Sequence, residues 1–204
     1  MKPLLLPLLL VLATAARADD DPQAGQARAA LCMACHGADG YSSIPQFPHL
    51  AGQGASYLLK QLQEIRTSNG GADAGRPVPA MQGLLEPLDS QALAGLADWF
   101  ARQPLRPVPD RAADPAGARL YLQGDLERHI PACSACHGPQ ATGNDPARFP
   151  RLAGQPAAYT LKQLQDFRSG LRHNDLPGRM MQDIASRLTP ADMETLARYL
   201  ESLP

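Results

Sequence analysis

Cys32-Met33-Ala34-Cys35-His36 and Cys133-Ser134-Ala135-Cys136-His137 are two copies of C-x-x-C-H, each followed directly by a glycine, Gly37 and Gly138. Two thiols separated by two residues on one helical turn reach both vinyl groups of a haem, and the histidine that follows faces its iron. This spacing is the attachment signature of c-type haem. A single C-x-x-C pair could equally be a redox disulfide or half of a zinc site. Two copies in matching surroundings, using all four cysteines of the chain, weigh against both. The motifs therefore call for two covalently bound haem c groups, held through Cys32, Cys35, Cys133 and Cys136, with His36 and His137 as axial ligands.

The surroundings of the motifs repeat as well. Phe47-Pro48-His49-Leu50-Ala51-Gly52-Gln53 matches Phe149-Pro150-Arg151-Leu152-Ala153-Gly154-Gln155, and each is followed by a helix-forming run, Tyr57 to Arg66 and Tyr159 to Arg168. Leu58, Leu62 and Ile65 fall on one helical face, to pack on haem or on the terminal helix. Asp21-Pro22 and Asp114-Pro115 are helix starts, with Asp as N-cap and Pro in the first turn. In the second half the helix and its extension run on through Gly124 to Pro131, eight residues more than in the first. Leu88-Asp89-Ser90 and Leu188-Thr189-Pro190 cap a last helix in each half, the latter with a capping box to Asp192. Leu93, Leu96, Ala97 and Phe100, and their counterparts Leu196, Ala197 and Leu200, are core, as are Met33 and Met193. Prolines 104, 107 and 109 favour an extended, semi-rigid connection. The fold class is all-α: two tandem domains, residues 19–104 and 105–204, joined by a Pro-rich linker at about 103–113.

The remaining axial position separates a carrier from a catalyst, because a thioether closes the iron and raises its potential while an open site admits oxygen or peroxide. Met81 lies 45 residues after His36 and Met181 lies 44 after His137, and both begin Met-Gln-x-x-x-x-x-Leu. Methionine is more often core filling than ligand, but the matched positions select Met81 and, over its neighbour Met180, Met181. The carbonyls of Pro48 and Pro150 are candidates to orient the two histidines, the alternative being that these prolines only shape their loops. Arg66 and Arg168 are candidate propionate contacts, against an ordinary solvated helix end. Tyr57, Tyr159, Trp99 and Tyr199 pack against haem edges, and His49, His129 and His173 read as surface residues.

The start of the chain carries an address. Lys2, the apolar run Leu4 to Ala13 and Ala16-Arg17-Ala18 are the parts of a secretory signal peptide over residues 1–18. The apolar run is about half of the ~20 residues that span a bilayer. Cleavage after Ala18 leaves 186 residues and places the protein in the periplasm, where covalent haem attachment takes place. The formal net charge of −1 gives no basis for nucleic-acid binding. From Asp19 to Pro104 there are five basic and nine acidic residues, against twelve and eleven from Leu105 onward, so the two halves present different charge to partners.

Taken together, the two C-x-x-C-H-G domains, the Leu-Ala-Gly-Gln words, a methionine in each half and the sequence Pro-Ala-Cys-Ser-Ala-Cys-His-Gly-Pro at Pro131 to Pro139 resemble the dihaem cytochrome c4 family. The resemblance covers nearly all of the mature chain. It implies two class I cytochrome c domains related by a pseudo-twofold axis and one-electron transfer in a periplasmic respiratory chain, from a donor such as a quinol-cytochrome c reductase to an acceptor such as a terminal oxidase. The longer Gly- and Pro-containing approach to Met81, Asn69 to Pro79, departs from that pattern. The competing readings are a dihaem enzyme, peroxidase or thiosulfate-oxidising, with one open haem, and a peripheral cytochrome subunit of an oxidase or reductase complex.

Overall fold

The computed structural model of the chain describes residues 22–68, 75–109, 111–174 and 179–204. The signal peptide expected over residues 1–18, the Asp21 cap and part of the approach to each methionine, residues 69–74 and 175–178, lie outside them. Within the described residues the chain forms α1 (Pro22–His36), α2 (Ala55–Ser68), α3 (Ser90–Ala101), α4 (Pro115–Gln123), α5 (Ser134–His137), α6 (Ala157–Ser169), α7 (Met180–Arg187) and α8 (Pro190–Ser202). Only two isolated bridges, Asp125 with Ile130 and Asn144 with Phe149, interrupt the helical character there.

Helix α3 packs on α1 and α2, and α8 packs on α4 and α6, so the terminal helix of each repeat is its organising element. The residues read as core are buried: Leu93, Leu96, Ala97 and Phe100 on α3, and Met193, Leu196, Ala197 and Leu200 on α8. Each buried cluster draws on one repeat alone, with Ala29, Leu58, Leu96 and Phe100 in the first and Leu120, Tyr121, Ile130 and Leu196 in the second. Helices α4 and α8 cross closely at Gly117, where a Cβ would lie 2.2 Å from the carbonyl oxygen of Thr195.

The helix starts follow their capping chemistry. Asp89 accepts from the N–H of Ala92 at 2.7 Å, and Asp114 accepts from those of Ala116 and Gly117 at 3.0 Å. Thr189 and Asp192 form the capping box, each side chain accepting from the other's backbone N–H. The extension expected beyond α4 is a hairpin instead of helix. Gly124, at φ 70°, ends α4, and Asp125 and Ile130 then exchange two backbone hydrogen bonds of 2.8 Å. The second C-x-x-C-H consequently sits on its own short turn, α5, whereas the first closes the long helix α1.

Arg128 of that hairpin bonds to Asp125 and to Asp192, tying the insertion to the cap of α8. Burial alone raises the Asp192 carboxyl, but the bonds from Arg128 and Thr189 outweigh it and hold the group below the ordinary carboxylate value. A carboxyl depressed in the folded state contributes stability above its unfolded pKa and loses it as pH falls through the folded value. Thermal unfolding midpoints should therefore fall on acidification below about pH 4. Asp192→Ala should lower stability at neutral pH by about 1 kcal/mol and flatten that acid dependence, as read by a pH series of melts.

Candidate functional site

One cavity of about 800 Å³ runs between the two repeats, and Cys32, His36 and Met81 line it together with Cys133, Cys136, His137 and Met181. Cys35 is exposed on the last turn of α1. The walls are mainly aliphatic and aromatic, from Leu58, Leu62, Ile65, Leu96 and Phe100 on one side and Leu164, Phe167, Ile184, Leu196 and Leu200 on the other. The apolar face read on α2 thus turns into the cavity.

The two histidines have the same setting. Nδ1 of His36 lies 3.0 Å from the carbonyl oxygen of Pro48, and Nδ1 of His137 lies 3.0 Å from that of Pro150. A carbonyl only accepts, so Nδ1 carries the proton and donates, leaving the Nε2 lone pair free. Phe47 and Phe149 lie beside these rings, each 6.0 Å between centroids and tilted. Burial pushes both imidazoles below their ordinary value and outweighs the carbonyl bond, which acts the other way. Both rings are neutral at pH 7, the form that ligates a metal. Gly37 follows His36 at φ 81°, and a side chain there would meet the carbonyl of Tyr41. Tyr121, buried in the second repeat, donates to the carbonyl of Gly138 at 2.6 Å and fixes the corresponding turn.

The first cysteine of each motif is not primed as a reactive thiolate. Burial pushes the Cys32 thiol up and the Cys133 thiol to about 11, so neither is a thiolate at neutral pH, as a reactive C-x-x-C requires. Among the described residues no group of three or more His, Cys, Asp or Glu side chains could hold a metal ion by itself.

The methionines are delivered by different backbones. Met81 ends a 3₁₀ turn, Pro79–Met81, while Met180 and Met181 open α7. Both of the latter touch the cavity, but Met180 is 45 % exposed and Met181 is half-buried.

The charged lining was not found by matching the repeats. Arg66 and Arg168 do not line the cavity and donate to the carbonyls of Leu88 at 2.7 Å and Leu188 at 3.0 Å, tying α2 and α6 to the turns before the last helices. The cations that line it are Lys60, Arg76, Arg148, Arg151 and Arg172, and among the described residues no carboxylate does. Arg76 and Arg172 are buried, and each donates across the interface to a tyrosine hydroxyl, Arg76 to Tyr159 at 3.2 Å and Arg172 to Tyr57 at 3.1 Å. Arg76 also bonds Gln61, yet its Nε has no acceptor among the described residues. A buried orphan donor in a carboxylate-free, cationic cavity suits an anionic group such as a haem propionate. Trp99 and Tyr199 are not in the lining, and His49, read as surface, is half-buried at the interface.

The cytochrome c family profile matches residues 22–102 and again 116–204. The chain is 46 % identical to cytochrome c4 of Stutzerimonas stutzeri over the full length of both. The chain belongs to the dihaem cytochrome c4 family. The crystal structure of reduced recombinant cytochrome c4 from Pseudomonas stutzeri superposes with a TM-score of 0.87 at 45 % identity, covering 90 % of this chain and 99 % of that one. A thiosulfate dehydrogenase electron acceptor from Thiomonas intermedia is 38 % identical over 86 % of this chain and 80 % of its own. Membership of the cytochrome c4 family brings two covalently bound haem c groups, one per repeat, and an electron-transfer function. Among the described residues no helix is long and apolar enough to cross a membrane.

Proposed function

We propose that the protein is a periplasmic shuttle, without a substrate reaction of its own, that carries electrons singly from a quinol-oxidising complex toward a terminal oxidase. Its domains divide near residues 104 and 105, and the signal peptide that directs its export is cleaved after Ala18. The observation that carries this reading is the duplicated donor set: an oriented neutral imidazole and a thioether in each repeat, opening into one apolar cavity.

Bound haem supplies a one-electron ferric/ferrous couple at each site. The protein's part is to fix and close those couples. Cys32, Cys35, Cys133 and Cys136 would attach the groups, and His36 and His137 would ligate through Nε2, their Nδ1–H held by the proline carbonyls. Met81 and Met181 would each supply a thioether to the bound group and so close it to oxygen or peroxide. Arg76 and Arg172 take the propionate role expected of Arg66 and Arg168. The sulfur-to-ferric-iron charge-transfer band of the oxidised protein, quantified per haem, tests this reading. Intensity for two haems is expected, and high-spin iron in either domain would turn the assignment toward an enzyme. A second reading, acceptor for a thiosulfate dehydrogenase, is supported by the similarity to the Thiomonas intermedia protein and concerns the donor, not the haem chemistry.

A further inference from the structure

Pro48 C=O and His49 N–H belong to one peptide group, as do Pro150 C=O and Arg151 N–H. The first carbonyl accepts from His36 Nδ1 at 3.0 Å, while the N–H of the same peptide donates at 3.0 Å to Oε1 of Gln155, which lies in the other repeat. The second accepts from His137 Nδ1 at 3.0 Å, and its N–H donates at 2.8 Å to Oε1 of Gln53. Each glutamine closes a second bond to the same residue: Gln155 Nε2 donates to His49 O at 2.7 Å, and Gln53 Nε2 donates to Arg151 O at 2.9 Å. A backbone N–H only donates and a carbonyl only accepts, so the partners fix which end of each amide faces which group. Both glutamines are 6 % exposed. Only backbone is read at positions 49 and 151, which explains why His stands opposite Arg in the repeat.

We propose that Gln155 tunes the haem bound by His36 and that Gln53 tunes the haem bound by His137, each acting across the domain interface through one polarised peptide group. An acceptor on the N–H side of a peptide draws electron density toward its carbonyl oxygen, and hydrogen bonds in series strengthen one another in a low-dielectric interior. The stronger carbonyl pulls harder on the Nδ1 proton and makes Nε2 a better donor to iron. A more electron-rich imidazole favours the ferric state, so the relay lowers the potential of the haem in the opposite domain. The two glutamines are positioning residues, crossed between the domains, and are not equal. Gly54 N–H also donates to Gln53 Oε1, at 3.0 Å, whereas the residue after Gln155 is Pro156, which has no N–H. Gln155 therefore gives its oxygen wholly to His49, and the larger effect belongs to the haem on His36.

The proposal rests on the axial ligation by His36 and His137 given above, and the test separates the two. Full-length holoprotein is compared with Gln155→Ala and Gln155→Glu, and then with the same changes at Gln53. The potential of each haem is measured by spectroelectrochemical titration, and the Nδ1–H resonance of each histidine by NMR, at a pH well above the carboxylate range. Gln155→Ala should raise the potential of the haem on His36 and leave the other in place. Gln155→Glu keeps the acceptor, strengthens it with charge and should lower the same potential, the Nδ1–H resonance moving oppositely in the two variants. Both substitutions delete the bond to His49 O, so a glutamine that merely fastens the domains would shift both variants in one direction. That result, or unchanged potentials, overturns the relay while the charge-transfer band persists at both haems. Absence of the band from the unsubstituted protein overturns the ligation reading instead, and the relay with it.

Discussion

Replacing Met81 with alanine will abolish the charge-transfer band of one haem and lower its potential by a few tenths of a volt, within the roughly 0.8 V that axial ligands command, while the second haem keeps both. Met81 lines the cavity at the end of the Pro79–Met81 turn, and alanine has no donor to reach the iron. A thioether favours ferrous iron, and its loss leaves a position open to water and small ligands. Met181→Ala should do the same to the other haem. Met180→Ala separates register from chance: its side chain is 45 % exposed, and its removal should leave band and potential unchanged. A lost band in Met180→Ala with an intact one in Met181→Ala would reverse the assignment. Spectroelectrochemistry of the three variants reads all of these outcomes.

The residues that meet in the cavity could be read from the sequence because the chemistry is local or repeats in register. The C-x-x-C-H turns, the caps at Asp89, Asp114 and Thr189, and the buried faces of α3 and α8 depend on neighbours a few residues away. The proline carbonyls sit 12 and 13 residues from their histidines, close enough for the repeat to mark them. The cationic lining did not show for a definite reason. Arg66 and Arg168 are 102 positions apart, as are Phe47 and Phe149, but Arg76 and Arg172 are 96 apart because the first repeat is longer in between. Matching letters therefore pointed to Arg66 and Arg168, which do not line the cavity. The hairpin after α4 was hidden by its composition, since Leu126, Glu127 and Arg128 are tolerable in a helix and only Gly124 and Pro131 mark the break. Gln53 and Gln155 were visible as repeated letters, yet their partners lie 98 and 106 residues away in the other repeat, a crossed contact that the repeat itself does not reveal.

The interface itself should yield most to Arg172→Ala. The guanidinium donates to Gln163 Oε1 at 2.7 Å, Asn174 Oδ1 at 2.9 Å, and Gln61 Oε1 and Tyr57 OH at 3.1 Å, and it stacks on Phe167 with its centre 4.4 Å from the ring centroid. Two of these partners, Gln61 and Tyr57, belong to the other repeat. Burial raises the Tyr57 phenol, but the Arg172 and Arg76 guanidiniums outweigh it and hold the group below its ordinary value, which marks how strongly the pairs act on one another. Alanine takes this donor from Gln163, Asn174 and Tyr57, while Gln61 Oε1 keeps Arg76 and Asn174 Nδ2, and a buried acceptor left unpaired costs about 1–3 kcal/mol. Lysine will not rescue it, because a single ammonium cannot span a fork of acceptors. Arg76→Ala should cost less, since its bonds run to Gln61 and Tyr159. The double variant should fall short of the sum because both arginines share Gln61 Oε1. Chemical denaturation followed at both the haem band and the helix signal checks these values. The two traces should coincide in the unsubstituted protein and separate in Arg172→Ala, because a loosened interface lets one repeat unfold before the other.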